Sequence, residues 1–329
     1  MEKLLTIFRG KIADIFVFGS LVVVDSTGKI IYAKGDPNES AFPRSSEKLI
    51  QALTTLSLGA KEAFQMTKQE IAQICASHRG EAFHISTIRG LLKKAGLDET
   101  YLKCGAHYPF KPDVALEMQK NGVEATAIHN NCSGKHTGML LGTKLLGASL
   151  DDYYKPEHPI QQHILKMLTT LCDYSVTEEK IAIDGCGVPV HALPLQRFAY
   201  GMARFADDER LPEGLAPHTK DIMDAITRYP EYICGTDGTE NYIIKKYPDG
   251  LVLKGGANGY FTGILTHHKY GFALKTYDGI SEYRDIILLE LLKKMDIVQE
   301  KDEDYFDRIF DKKIRNHRGE IVGEIKVNF

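Results

Sequence analysis

The chain has 329 residues, 43% of them apolar and 26% charged, with a formal net charge of −3. That length can bury a substantial core in one large domain or two small ones. The charge balance gives no electrostatic footprint for DNA, RNA or an anionic membrane surface, so neither nucleic acid nor membrane is expected as a partner.

Glu2, Lys3, Arg9, Lys11 and Asp14 interrupt any apolar run that a secretory leader would need. The longest apolar stretch, Ile15 to Val24, is far short of a membrane span and reads as a strand. The six cysteines, at positions 75, 104, 132, 172, 186 and 234, are widely spread. Without an export signal they read as reduced thiols or metal ligands, and a cytoplasmic protein is expected.

Residues 14–34 run IFVFGSLVVV, DSTG, KIIYA, the pattern of a hairpin. After a polar stretch, Leu49, Ile50, Leu53, Leu56 and Leu58 follow Ser45 at near-helical spacing. Thr67 and Glu70 form a capping-box pattern that opens a second helix through Ile71 and Ile74. A third helix is predicted over about 83–95, ending at Gly96, and further helices at about 113–121, 134–147, 157–173, 194–206 and 218–228. Segments 241–247, 251–254, 260–266 and 271–276 read as short strands between Gly or Pro-Asp-Gly turns. A helix at about 280–295 and a last strand, IVGEIKVNF, close the chain.

Strands at both ends with helices between them predict an α+β fold. A mainly antiparallel sheet is built from about 12–35 and 240–329, and a large helical region, about 45–230, lies against it. No repeat or long linker divides the chain, so 1–329 is expected to be a single catalytic unit. Residues 280–329 carry no chemical motif and are expected to complete the sheet and a dimer surface.

The first chemical pattern is Ser45-Ser46-Glu47-Lys48. If Ser45 begins a helix, Lys48 lies one turn on along the same face, where a neutral amine could take the serine proton. Burial or nearby positive charge would have to lower the lysine pKa, and the helix N-terminus favours developing negative charge. The pattern alone does not separate catalysis from capping, because serine is a favoured N-cap. A second copy, Ser26-Thr27-Gly28-Lys29, spans the hairpin turn, where no helix aligns the side chains.

Ser77-His78-Arg79-Gly80-Glu81 places another serine near a helix end, where it could relay a proton or orient the lysine. Lys254-Gly255-Gly256 follows an apolar strand, as does the Lys-Thr-Gly element of serine β-lactamases and penicillin-binding proteins. No Ser-x-Asn or Tyr-x-Asn occurs, which disfavours a β-lactamase or a β-lactam target.

The stretch His129-Asn-Asn-Cys132-Ser-Gly-Lys135-His136 is not a phosphate loop, since His129 stands where the first glycine belongs and His136 where Ser or Thr belongs. Asp184-Gly-Cys186-Gly-Val-Pro189 follows the run Lys180-Ile-Ala-Ile, which reads as a buried strand. Two cysteines in such glycine-rich settings are either zinc thiolates or ordinary buried thiols; their spacing does not decide.

Together, Phe42-Pro-Arg-Ser-Ser, Ser77-His78-x-Gly-Glu81, HNNCSGKH, DGCGVP and LKGGANG resemble the bacterial L-asparaginase II family of the Rhizobium etli inducible type. The similarity runs from about Gly19 to Asp278. It implies hydrolysis of L-asparagine to L-aspartate and ammonia on a fold like that of serine β-lactamases and glutaminases. It implies Ser45 as nucleophile with Lys48 as base, and a second Ser–Lys pair in which Ser77 matches the family's serine; Lys254 is a further catalytic candidate. It also implies one zinc per chain on Cys132, Lys135 and Cys186, tuning substrate binding, with Asp184 on a metal-bound water. Substrate contacts are expected from Arg44, His136, Asp184 and Gly255, the oxyanion contacts from the Ser45 amide and one on the Lys254 strand, and the assembly is expected to be a homodimer. The competing readings are a glutaminase or other small-amide hydrolase on the same scaffold, and a non-catalytic module that binds zinc or an amino acid.

Overall fold

The computed structural model describes residues 2–307 and 309–329. The strands are β1 (Glu2–Arg9), β2 (Ile12–Asp25), β3 (Ile30–Lys34), β4 (Ser40–Ala41), β5 (Ile181–Ile183), β6 (Pro189–His191), β7 (Leu193–Pro194), β8 (Leu251–Gly255), β9 (Tyr260–Leu265), β10 (Tyr270–Thr276), β11 (Lys313–Arg315) and β12 (Ile321–Val327). Eight of them form one sheet in the order β11-β12-β1-β2-β10-β9-β8, with β3 also on β2. Every pairing is antiparallel, as in Leu5↔Val17, Val22↔Ala273 and Val252↔Ile264. The N- and C-terminal segments therefore share a sheet, as the strand pattern predicts.

Leu21, Val22, Val23 and Val24 are all fully buried. Side chains of successive strand residues point to opposite faces, so this part of the sheet is covered on both. That is why β2 reads there as a continuous apolar run rather than an alternating one.

The helices are α1 (Lys48–Ser57), α2 (Ala60–Ala63), α3 (Lys68–Ile74), α4 (Ala82–Lys94), α5 (Pro112–Lys120), α6 (Ser133–Leu145), α7 (Pro159–Cys172), α8 (Leu195–Phe205), α9 (Ala216–Arg228), α10 (Pro230–Cys234), α11 (Thr239–Lys246), α12 (Ser281–Lys294) and α13 (Glu303–Asp307). The capping box opens α3 as expected: Glu70 N–H donates to Thr67 Oγ1, and Thr67 N–H to Glu70 Oε2. Helix α8 packs on β2, β9 and β10, and α12 on β1, β9, β10 and β12. No described helix is long and apolar enough to cross a membrane.

Three expectations fail. Strand β1 extends the sheet beyond the expected start at residue 12, because Leu4, Leu5 and Ile7 are buried between flanking charges that mask them in the sequence. Residues 241–246 are helical, not a strand. Tyr242, Ile243 and Ile244 have strand propensity, but Glu240, Asn241, Ile243 and Ile244 form one buried helical stripe, and packing overrides propensity. Strand β5 is not buried: it pairs only with β6 in a two-stranded sheet, and Ile183 is 58% exposed.

Candidate active site

Ser45 lies in a short 3-10 turn, Arg44–Glu47, that leads into α1. The turn is anchored from both sides: Ser46 N–H donates to Pro43 O, and Ser46 Oγ donates to Lys254 O at 2.8 Å. Gly256 lets the end of β8 lie against it, since a β-carbon there would stand 2.4 Å from Pro43 O. Arg44, just before Ser45, has a positive φ of 53°, a conformation few non-glycine residues hold without surrounding constraint. Its constraint is Asp184, whose Oδ1 takes Arg44 Nε at 2.8 Å and Nη2 at 2.6 Å.

The segment after α3 carries Ser77. Its backbone is pinned by Ser77 N–H to Ile233 O and His78 N–H to Asn131 O. His78, fully buried, accepts Gly80 N–H on Nδ1 and meets Ser133 Oγ at 2.8 Å through Nε2. Helix α6 can approach this segment because residue 134 is glycine; a β-carbon there would stand 2.2 Å from Gln73 O.

Lys48 and Lys254 converge on Ser77. Lys48 Nζ is 2.9 Å from Ser77 Oγ and 2.6 Å from Ala76 O. Lys254 Nζ is 2.9 Å from Ser77 Oγ and 2.8 Å from Gly255 O. The Ser45–Lys48 contact expected from their spacing is not made, because Lys48 reaches across to the Ser77 segment instead. Both amines are buried. Burial, and then the charge of Lys48, lowers the Lys254 pKa to about 8. Burial likewise lowers that of Lys48, with Cys132 opposing it.

Ser45 and Ser77 line one cavity of about 350 Å³ together with Arg79, Asn131, Glu240, Gly255 and Arg284. Ser45 N–H lies in the first turn, where no helix carbonyl can take it. The expected second oxyanion donor on the β8 strand end is not free at either glycine: Gly255 N–H donates to Glu240 Oε1 and Gly256 N–H to Tyr260 O.

Beside this centre, Cys132, Lys135 and Cys186 come together. Lys135 Nζ is 2.8 Å from Cys186 Sγ. A hydrogen bond from Cys132, helped by Lys135, lowers the Cys186 pKa to about 5 against burial. The same bond, with burial, raises Cys132 to about 12. Burial would lower the Lys135 pKa, but Cys132 and Cys186 outweigh it and raise it. All six cysteines are free and buried.

Among the described residues no cluster of three or more His, Cys, Asp or Glu could hold a metal. A zinc here would therefore need Lys135 as its third protein ligand. The donor set fits: two neighbouring cysteine sulfurs, with an amine 2.8 Å from one of them.

Of the expected substrate contacts, Gly255 lines the cavity. Arg44 and Asp184 hold each other, and Arg44 lines an adjoining cavity of about 530 Å³. His136 does not line the cavity; it is fully buried with Nδ1 2.7 Å from Tyr153 Oη. The sequence reading missed Arg79, Asn131, Glu240, Ser281 and Arg284, all in the cavity lining. Segment 280–329 is thus not silent, since α12 supplies Ser281 and Arg284. Arg79 stood within a motif already singled out, whereas Glu240 was hidden in a segment read as a strand.

The sequence model of the family described as L-asparaginase II matches residues 5–327. No curated protein sequence matches the chain. Among solved structures it is similar to a class D β-lactamase, at 13% identity over 86% of this chain and 94% of that one, with a TM-score of 0.42. It is similar to a β-lactamase from Mycobacterium bovis, at 13% identity over 84% and 94%, with a TM-score of 0.44. A Bacillus glutaminase matches at 13% identity over 85% and 91%, with a TM-score of 0.38.

Proposed function

The chain belongs to the L-asparaginase II family, and on that premise we propose that it hydrolyses L-asparagine to L-aspartate and ammonia through an acyl-enzyme on Ser45. The observation that carries the reading is the Ser77 hydroxyl held 2.9 Å from each of two buried lysine amines, in a cavity that Ser45 also lines. Such an array can move protons at near-neutral pH without a histidine.

Ser45 Oγ attacks the side-chain amide carbon while Lys48, one turn along, takes its proton. Catalytic hydrogen bonds are often loose without substrate and tighten in the complex, so the missing Ser45–Lys48 bond is compatible with this step. Ser45 N–H faces the developing oxyanion. Ser77, between Lys48 and Lys254, returns a proton to the leaving ammonia. Water then attacks the aspartyl ester, the same amines taking its proton, and frees Ser45.

Cys132, Lys135 and Cys186 would hold a zinc, and Asp184 would meet its water. The ion would supply a local positive charge beside the cavity. Lys135 must lose its proton to bind, which metal charge can force. A homodimer in the cytoplasm completes the proposal; the exposed Ile12, Phe16 and Phe18 of β2 are a surface suited to a second copy.

The test is ammonia release by purified protein from L-asparagine and L-glutamine. Turnover of L-asparagine with a higher kcat/KM supports the proposal, a preference for L-glutamine makes it a glutaminase, and tight asparagine binding without ammonia release makes it a binding module.

A further inference from the structure

The cavity shared by Ser45 and Ser77 has one carboxylate in its lining, Glu240, on the first turn of α11. Glu240 is only 7% exposed. Its Oε1 accepts Gly255 N–H at 2.8 Å. Oε2 has no hydrogen-bond partner among the described residues, yet it is not among the polar atoms sealed from solvent. The surrounding cations are engaged elsewhere: Lys245 with Glu231, Lys246 with Asp302, Arg284 with Asp285 and Arg79 with Asp237. Lys254, the nearest along β8, spends its hydrogen bonds on Ser77 Oγ and Gly255 O.

A carboxylate withdrawn this far with a single backbone donor costs stability unless a cation meets it. Among the described residues no side-chain cation bonds to it, although Lys254 lies near enough to feel its charge. An amino-acid substrate supplies one, because its α-ammonium is a compact cation with three N–H donors. Arg284 is tied to Asp285 and to the carbonyls of Gly256 and Tyr260, so it is not free to bind a ligand. Arg79, held by a single 3.1 Å contact to Asp237, is the cavity arginine able to turn to an α-carboxylate.

We infer that Glu240 is the anchor for the α-ammonium group of the substrate, with Arg79 facing its α-carboxylate. This rests on the asparaginase reading and deepens it. Glu240 selects free α-amino acids over amides that lack the amino group, and it fixes the side-chain amide relative to Ser45.

The test compares wild type with Glu240→Gln on L-asparagine and on succinamate, which is asparagine with hydrogen in place of the α-ammonium. Glutamine keeps the carbonyl that accepts Gly255 N–H and removes only the charge. The variant is expected to raise KM for L-asparagine roughly 10- to 100-fold, the range for a charge-assisted hydrogen bond, with a smaller fall in kcat. Succinamate, followed as a substrate or as a competitive inhibitor, should behave alike with both proteins. Without ligand, the variant should melt no lower than wild type, because an unpaired buried carboxylate has been removed. Equal losses on both compounds, an unchanged KM for L-asparagine, or a lower melting temperature with parallel losses would each overturn the role of Glu240 while leaving the asparaginase reading intact. Wild-type protein that releases no ammonia from L-asparagine would overturn the reading itself.

Discussion

Lys254 and Lys135 are both almost completely buried, but their surroundings drive the two amines in opposite directions. Around Lys254 the contacts are a hydroxyl and a carbonyl, and the charge that acts on it most is another lysine, with Glu240 opposing. Burial and repulsion act together there, and the amine becomes a base available near neutrality. Around Lys135 two sulfurs outweigh burial, so the proton on the amine is favoured beside Cys186. The comparison teaches that a buried lysine's chemistry is set by its partners rather than by its depth. On the proposed mechanism the first region moves protons, and the second would hold charge until a metal replaced the proton.

The largest effect expected from breaking the first region is that of Ser45→Ala, which should leave no ammonia release above background while the circular dichroism spectrum is unchanged. Removing a base should cost somewhat less. Lys254→Met and Lys48→Met are each expected to lower kcat by roughly 10²- to 10⁴-fold, the usual contribution of positioned proton transfer. Single-turnover kinetics would check this, and a kcat near wild type in both variants would remove lysine from the mechanism.

The pH dependence sharpens the contrast. Because the Lys254 pKa is lowered to about 8, its neutral form grows as pH rises through that value. If proton transfer through Lys254 limits turnover, activity should climb by roughly tenfold per unit below pH 8 and level off above it. A profile flat from about pH 6 to 10, or one peaking in acid, would contradict a lysine base with the lowered value.

The smallest effect belongs to the second region. Cys186→Ser should lose zinc, measured by metal analysis of protein purified without chelator, and should raise KM for L-asparagine more than it lowers kcat. If wild-type protein carries no zinc and added zinc changes neither melting temperature nor KM, Cys132 and Cys186 are ordinary buried thiols and Lys135 serves only as the counter-ion of Cys186.

Much of this arrangement was legible in the sequence because local rules carry it. The capping box at Thr67, the hairpin around Asp25 and the apolar runs of β8 to β10 needed only near neighbours to be read. In the second Ser-x-x-Lys copy, Ser26 lies in the turn between β2 and β3, as its sequence context predicts, and bonds Asp207. What stayed hidden depends on partners distant in the chain. No spacing rule foretells that Lys48 passes over Ser45 to reach Ser77, 29 positions on. Nor does any periodicity reveal that α11 and α12 bring Glu240 and Arg284 into the cavity of Ser45.

The central claim is that Ser45 takes the acyl group while Ser77 handles protons between two amines. A diazo-ketone analogue of L-asparagine, followed by peptide mass mapping, tests it most directly. The account predicts one covalent adduct on the peptide containing Ser45, absent from Ser45→Ala. An adduct on Ser77 in wild type, or one that persists in Ser45→Ala, would contradict it and exchange the roles of the two serines.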